Sequence, residues 1–338
     1  MWKNLIYIIL GSYVFATFSI VAVDTETGEV GSAGGSCIAN SIIISDIHPG
    51  IGVIHTQSYW MSANQQYAAT LMDQGLSPDE IILLLEENDI QNNPTIRQYG
   101  IADINQGNNY GMLYEYECND IGGTQWNGAS GSNEMGLCTD IPISRSASFT
   151  GENCSNWKGH INGISYAIQG NILLNQDVLL NMENNFLSEN GPLDRKLMSA
   201  LQGAKIPGAD TRCLDEGIST LSAFIRVAKP SDTNDFYMDL NIGSVIPYYN
   251  QTGEWIDPID TLQTNFNLWY QENFEYSLGD LNQDLIIDIL DVVRLVNIVL
   301  GEDIIGIEYY LSDLNQDNVI NIQDIILIIN LILNSNAY

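Results

Sequence analysis

Apolar positions along this chain fall into two patterns. Short runs rich in Ile, Val and Phe predict strands over Thr17–Val23, Gly50–Thr56, Gly100–Asp103, Leu221–Val227 and Tyr237–Ile242. Longer segments with apolar residues three and four apart predict helices over Ala63–Gln74, Ile81–Glu87, Gln176–Leu187, Leu193–Leu201 and Ile259–Gln271. Two helix starts are marked in the sequence: Ser77-Pro78-Asp79-Glu80 caps one, and Asp257-Pro258 opens another. Interleaved strands and helices of this kind suit layered α/β (α+β) packing. They bring no glycine-rich phosphate loop of a doubly wound sheet.

The first strand follows a different kind of segment. Lys3 supplies a positive n-region, Leu5 to Phe15 an apolar h-region, and Val14 and Ala16 the small residues that signal peptidase selects. Residues 1–16 therefore read as a cleaved signal peptide, with an uncleaved anchor as the competing reading. Cleavage would leave a secreted protein with no membrane span and with Thr17 at its N-terminus. A terminal threonine carries its own general base, because an α-amine titrating near ~8 can take the proton of the hydroxyl. Many secreted proteins also begin with threonine without using it.

Charge separates a second unit. The chain holds 42 acidic and 11 basic residues; from Ser231 onward 18 are acidic and only Arg294 is basic. Such a balance disfavours nucleic acid and anionic membrane surfaces as partners. Within this acidic part Leu278-Gly279-Asp280-Leu281-Asn282-Gln283-Asp284 recurs 33 residues later as Leu311-Ser312-Asp313-Leu314-Asn315-Gln316-Asp317. Each copy places oxygen ligands at loop positions 1, 3, 5, 9 and 12, with a backbone carbonyl at position 7. The first set is Asp280, Asn282, Asp284, Ile286, Asp288 and Asp291; the second is Asp313, Asn315, Asp317, Val319, Asn321 and Asp324. Alternate inward-facing oxygens at this spacing suit calcium, one ion per loop. An apolar helix follows each loop, Val292–Leu300 and Ile325–Leu333, and Ile287 and Ile320 can join the two loops.

The repeated loop-helix unit, with Asp at position 12, resembles the type I dockerin module over about residues 278–334. That resemblance implies a cohesin-bearing scaffold or cell-surface partner, with Ile289 and Leu290 on the contact surface. Those positions are unusually apolar for recognition, which equally suits a pair that folds back on its own protein. The usual glycine at position 6 is replaced by Leu285 and Asn318. Asn tolerates a left-handed backbone and Leu does not, so the second loop should be the tighter site.

Residues 17–271 carry a second resemblance. Thr17-Phe18-Ser19-Ile20-Val21-Ala22, Thr27-Gly28-Glu29-Val30-Gly31, Arg97-Gln98-Tyr99-Gly100-Ile101, Trp157-Lys158-Gly159-His160, Tyr166-Ala167-Ile168-Gln169-Gly170-Asn171 and Gly208-Ala209-Asp210-Thr211-Arg212 resemble the family catalogued as domain of unknown function 1028. The fold this implies is a four-layer αββα sandwich like that of N-terminal nucleophile (Ntn) hydrolases. The Cys118–Cys138 segment looks inserted, and Cys213 stands where glycine is expected. Five cysteines in an oxidising compartment allow two disulfides; Cys118–Cys138 is the favoured pair and Cys154–Cys213 a weaker one.

The family supplies no reaction, so the chemistry rests on residues. Thr17 is the candidate nucleophile, Asn171 an oxyanion donor, His160 an orienting or gating group, and Arg97 or Arg212 a binder of a substrate carboxylate. Each has a structural alternative: Arg212 can pair with Asp210, and His160 can satisfy a turn. Two functions follow. One is a secreted Ntn-type amidohydrolase acting on a peptide or small-molecule amide, needing no cofactor in its N-terminal domain. The other is a non-catalytic secreted binding or structural protein with a calcium-binding docking tail.

Overall fold

The computed structural model describes residues 17–105, 143–233, 235–243, 255–273, 277–282, 286–302, 304 and 308–335. The proposed signal peptide, Asp284, Leu285 and the Cys118–Cys138 pair lie outside the described residues. No described helix is long and apolar enough to cross a membrane.

Two antiparallel sheets form the larger unit. One has six strands in the order β10-β9-β2-β1-β8-β7, the other four in the order β3-β4-β5-β6. The six are β1 (Thr17–Val23), β2 (Val30–Ser36), β7 (Gly159–Asn162), β8 (Tyr166–Asn171), β9 (Ser222–Ala228) and β10 (Met238–Ile242). The four are β3 (Ser45–His48), β4 (Gly52–Ser58), β5 (Arg97–Asn105) and β6 (Ile143–Thr150).

β1 is buried along its whole length because it lies between β2 and β8 and is covered on both faces. Its side chains alternate accordingly. Phe18, Ile20 and Ala22 join the core beneath the helices α3 (Asp177–Ser188), α4 (Leu193–Ala204) and α5 (Pro258–Asn273). Val21 and Val23 face the other way and pack with Val53, Ala102, Ile104 and Ala167 between the sheets. Helices α1 (Ser62–Asp73) and α2 (Pro78–Glu87) cover the outer face of the four-stranded sheet through Ile54, Tyr99 and Ile101. The expected capping box of α2 is formed: Glu80 N–H donates to Ser77 Oγ and Ser77 N–H to Glu80 Oε2.

β2 is glycine-rich, Val-Gly-Ser-Ala-Gly-Gly-Ser, and carries little strand signal in its sequence. Close approach of its neighbours explains the composition. A Cβ on Gly31 would stand 2.6 Å from Leu197 Cδ1, so α4 can sit against β2 only where the side chain is missing.

The C-terminal unit holds α6 (Ile289–Val299), α7 (Glu308–Ser312) and α8 (Ile322–Ser335). α6 and α8 each begin three residues earlier than the apolar pattern predicts. In α6 the reason is Asp288, which caps the helix and forms a reciprocal box with Asp291, drawing Ile289 and Leu290 into the first turn. The unit packs on the larger one: Tyr310 stacks on Tyr270 of α5 with ring centroids 5.2 Å apart, and both belong to the core that runs beneath α4.

Candidate functional site

The layer between the sheets changes character along β1. At the Val23 end it is aliphatic. At the Thr17 end the inward positions are Thr17 and Ser19 on β1, His55 and Gln57 on β4, Gln98 on β5, and Gln169 and Asn171 on β8, all buried. Groups of this kind are tolerated inside a protein only when they bond one another. Ser19 Oγ donates to Gln57 Oε1 at 2.6 Å, and Gln57 Nε2 to Gln98 Oε1 at 2.7 Å. Gln98 Nε2 contacts Thr150 Oγ1 and the carbonyls of Gly159 and Gly170 at 2.9–3.0 Å. Asn171 Nδ2 donates to Gln98 Oε1 at 3.0 Å, and Gln169 Nε2 to Ser19 Oγ at 2.6 Å. Gly100 makes the room: a Cβ there would lie 1.9 Å from Gln169 Oε1.

Thr17 stands at the end of this network, opposite Asn171 in the β1–β8 register. Its Oγ1 makes a long hydrogen bond of 3.4 Å to Ser36 Oγ at the end of β2. Arg212 Nη2 reaches the same Ser36 Oγ at 3.4 Å while its fork grips Asp210, at 3.1 Å from Nε and 2.8 Å from Nη2. Asp210 also accepts the N–H of Cys37 at 2.7 Å, so one carboxylate ties the end of β2 to the 210–213 turn. The disulfide Cys37–Cys213, with Cα atoms 6.0 Å apart, fastens the same two segments. This corrects the Cys154–Cys213 pairing. Cys154 is a free, buried thiol that donates to Arg97 O at 3.1 Å, and burial pushes its pKa up.

Backbone strain flanks the network. Ile172, directly after Asn171, has φ 54°, and Ser58, directly after Gln57, has φ 66°. A β-branched residue in the left-handed region is costly and persists only when its surroundings hold it. Ile172 is held by Ser155 O, which accepts its N–H at 3.2 Å, and by Thr211, whose N–H and hydroxyl both donate to Ile172 O.

The predicted site residues separate into three groups. Thr17, Asn171, Asp210 and Arg212 are brought together. His160 lies on the exposed edge strand β7 and reaches the network at one remove: its Nδ1 is 2.9 Å from Thr150 Oγ1, which accepts from Gln98. Desolvation lowers its pKa. Arg97 is a different case. It precedes Gln98 on β5, so its side chain leaves by the opposite face. There its Nε donates to Asp89 Oδ2 at 2.7 Å, and its remaining nitrogens bond Tyr59 O and Gln91 Oε1. No substrate carboxylate can reach a guanidinium already bound on every side, so the catalytic or binding role read for Arg97 is replaced by a structural one.

Sequence reasoning missed Ser36, His55, Gln57, Gln98 and Gln169 as members of the site. The available signal was their alternation: Thr17 and Ser19, or His55 and Gln57, are polar on the same face of otherwise apolar strands. His55 is the most unusual of them. It is wholly buried, its Nδ1 faces Gln169 Nε2 at 3.3 Å, and its Nε2 has no partner. Burial, reinforced by the charge of Arg226, lowers its pKa to about 3. The unfolded chain binds this proton near ~6.5 and the folded chain does not. His55 therefore costs nothing above pH 6.5 and erodes stability as the pH falls from there to about 3. Urea unfolding across this window should show the slope reduced by up to ~1.4 kcal/mol per pH unit in His55→Gln; an unchanged slope would mean that His55 is protonated in the fold.

The calcium-type loops repeat their hydrogen bonds as they repeat their sequence. Asp291 accepts the N–H groups of Asn282 and Asp288, and Asp324 those of Asn315 and Asn321. Asp313 accepts from Asp317 and Asn318, and Asn318 takes the left-handed backbone expected of it, φ 63°. Burial, with Asp324 and Asp317 nearby, raises the pKa of Asp313. Among the described residues no three acidic, His or Cys side chains stand together at metal-holding distance. Ile289 and Leu290 are exposed, at 64% and 57%.

The comparisons with known proteins bear on the larger unit. A family model described as "Family of unknown function (DUF1028)" matches residues 17–125 and 141–245. The chain belongs to this family. The DUF1028 region opens at Thr17 and takes in Ser36, His55, Gln57, Gln98, Gln169, Asn171 and Arg212. A solved DUF1028 protein from Silicibacter pomeroyi aligns with a TM-score of 0.51 at 20% identity, covering 75% of this chain and 89% of that one. At that identity the likeness concerns the DUF1028 fold alone. No curated protein matches the chain.

Proposed function

We propose that this DUF1028 protein is a secreted amidohydrolase of the Ntn type, built on a four-layer αββα sandwich, with Thr17 as nucleophile. The observation that carries the reading is the position of Thr17. It begins a central, fully buried strand, faces the polar end of the inter-sheet layer, and lies opposite Asn171 and beside Ser36 and Arg212. Removal of residues 1–16 would turn its backbone nitrogen into an α-amine, which takes the hydroxyl proton as Oγ1 attacks an amide carbonyl and returns it to the departing amine. Asn171 has one amide hydrogen and Oδ1 uncommitted. The hydrogen can stabilise the oxyanion, and Oδ1 can accept from the α-amine. His160 would steady Gln98 through Thr150, and Arg212, held in place by the buried Asp210, would bind a substrate carboxylate at the rim.

N-terminal sequencing of the exported protein, with a screen of peptide and N-acyl amides, tests this proposal. A start at Thr17 with turnover of at least one amide supports it; retention of Met1 removes the nucleophile. Asn171→Ala should then slow turnover by ~10²–10³ if one oxyanion donor is lost. Asn171→Asp, which keeps the acceptor and loses the donor, separates the two roles by its rate. A second reading, a binding module without chemistry, draws on the complete burial of Thr17. Activity on no amide would favour it.

For the tail we propose two calcium ions, one held by Asp280, Asn282, Asp284, Ile286 O, Asp288 and Asp291, the other by Asp313, Asn315, Asp317, Val319 O, Asn321 and Asp324. The all-oxygen donor sets support a hard cation, and Asp280, Asp291, Asp313 and Asp324 are buried in their loops. A dockerin-like role would present Ile289 and Leu290 to a cohesin-bearing scaffold or cell-surface protein. Calorimetric titration of the full chain should give two sites, and calcium at ~100 times Kd should add about 2.7 kcal/mol of stability per site, reversed by chelator. No heat and no stabilisation would reject the assignment.

A further inference from the structure

The polar layer between the sheets contains one amide whose orientation is fixed by the main chain. Gln98, on β5 and wholly buried, directs Nε2 at the carbonyl oxygens of Gly159 at 3.0 Å and Gly170 at 2.9 Å. A backbone carbonyl can only accept, so the nitrogen end of this amide has to face them. Oε1 is thereby turned toward Gln57 Nε2 at 2.7 Å and Asn171 Nδ2 at 3.0 Å. An amide oxygen also only accepts, so Gln57 and Asn171 must each present nitrogen to it. The direction carries on through the layer: Gln57 Oε1 takes the hydroxyl of Ser19 at 2.6 Å, and Ser19 Oγ takes Gln169 Nε2 at 2.6 Å. Reversing Asn171 or Gln57 would set oxygen against oxygen inside the protein, which is costly.

Two of the groups so fixed flank Thr17. Asn171 is its partner across the β1–β8 ladder, on the same face of the sheet. Gln57 Nε2 also reaches the carbonyl oxygen of Thr17, at 3.4 Å. With Nδ2 turned to Gln98, Asn171 Oδ1 is left buried without a partner. We propose that Gln98 is the positioning residue of the Thr17 site: anchored on Gly159 O and Gly170 O, it selects which end of Asn171 is held and which is left for the reaction. This role rests on Thr17 being the nucleophile. Gln98 does not touch the reacting atoms. It decides whether Asn171 offers them an acceptor and one hydrogen, as the hydrogen bonds show, or two hydrogens and no acceptor. It acts from across the layer, since Gln98 belongs to the four-stranded sheet and Asn171 to the six-stranded one.

Side-chain amide NMR and amide turnover, both on the mature protein with its tail, test this role. In the wild type a nuclear Overhauser contact should join the Asn171 and Gln57 amide hydrogens, because both nitrogens converge on Gln98 Oε1. Gln98→Met should abolish that contact and lower kcat by ~10-fold or more, with KM little changed. Combined with Asn171→Ala it should cost no more than Asn171→Ala alone, since residues acting as one unit are not additive. Gln98→Glu should restore contact and rate at pH ~6, where burial keeps the introduced carboxyl neutral and its O–H can serve a glycine carbonyl. Its rate should fall as the carboxyl ionises, a pH-dependent rescue that a glutamine needed only for packing would not give. The wild-type contact needs no variant, so it decides the orientation even where Gln98→Met fails to fold. No contact in the wild type, a contact that survives in Gln98→Met, or additive rate losses would overturn the proposal. Turnover of no amide would remove the reaction proposed for Thr17; the contact, which needs no substrate, would still confirm or overturn the orientation set by Gln98.

Discussion

Thr17→Ala should abolish the proposed amide turnover of the mature protein while circular dichroism and calcium titration stay as in the unsubstituted protein. The hydroxyl makes one long bond, 3.4 Å to Ser36 Oγ, so its removal costs the fold little. For the proposed reaction it is the only attacking atom, and its loss leaves nothing to form the acyl intermediate. Thr17→Ser retains both the nucleophile and the α-amine and should keep part of the rate. The measurement is turnover of whichever amide the screen selects. Activity that survives in Thr17→Ala would place the nucleophile elsewhere, and full loss in Thr17→Ser would indicate that the methyl group positions the hydroxyl.

Arg97→Leu should destabilise the protein by about 3–5 kcal/mol, because it strands a buried partner. Arg97 and Asp89 have side chains 1% and 0% exposed, joined at 2.7 Å. Burial alone would raise the pKa of Asp89, but the bond from Arg97, helped by Asn93, Asn64 and Gln91, outweighs it and holds the carboxyl at about 2. A depressed carboxyl stabilises the fold above its unfolded value and loses that contribution as the pH falls toward 2. Chemical denaturation at pH 7 and pH 3 checks both statements. The loss in Arg97→Leu should be large at pH 7, whereas catalytic constants of the folded fraction should change little. A folded variant with normal stability and no activity would return Arg97 to the site.

Much of the fold was legible because its elements carry local signals. β1 is a run of apolar residues long enough to be a doubly covered strand, and α2 is announced by a capping box that the structure forms atom for atom. The loops of the tail were legible through their repetition. β2 was not, since three glycines in seven residues weaken any strand signal and make sense only once α4 is seen packed against Gly31. The helix starts at Ile289 and Ile322 were read a turn late because capping by Asp288, and the matching bond that Asn321 Oδ1 accepts from the N–H of Gln323, override the apolar pattern.

The candidate site divides in the same way. Thr17 and Asn171 were readable, one from its place after a signal-like segment and the other from its place at the end of a strand-like run. The network joining them was not, since Ser19, Gln57, Gln98 and Gln169 come from four strands, and a lone glutamine in sequence predicts nothing. Arg97 misled because sequence shows a charge and not the face it leaves by; one step along β5 separates a residue of the site from a residue of the α2 side.

The sequence by itself determined what depends on neighbours in the chain: the strand and helix periods, the caps, the duplicated oxygen-bearing loops and the acidic C-terminal unit. Only the tertiary structure decided what depends on pairing across long separations. Cys213 meets Cys37 across 176 residues and not Cys154, and Arg97 turns to Asp89. The physical reason is that local preferences are set by a few adjacent dihedrals and side chains. Which buried polar groups satisfy one another is settled only when the sheets close and water is excluded from between them.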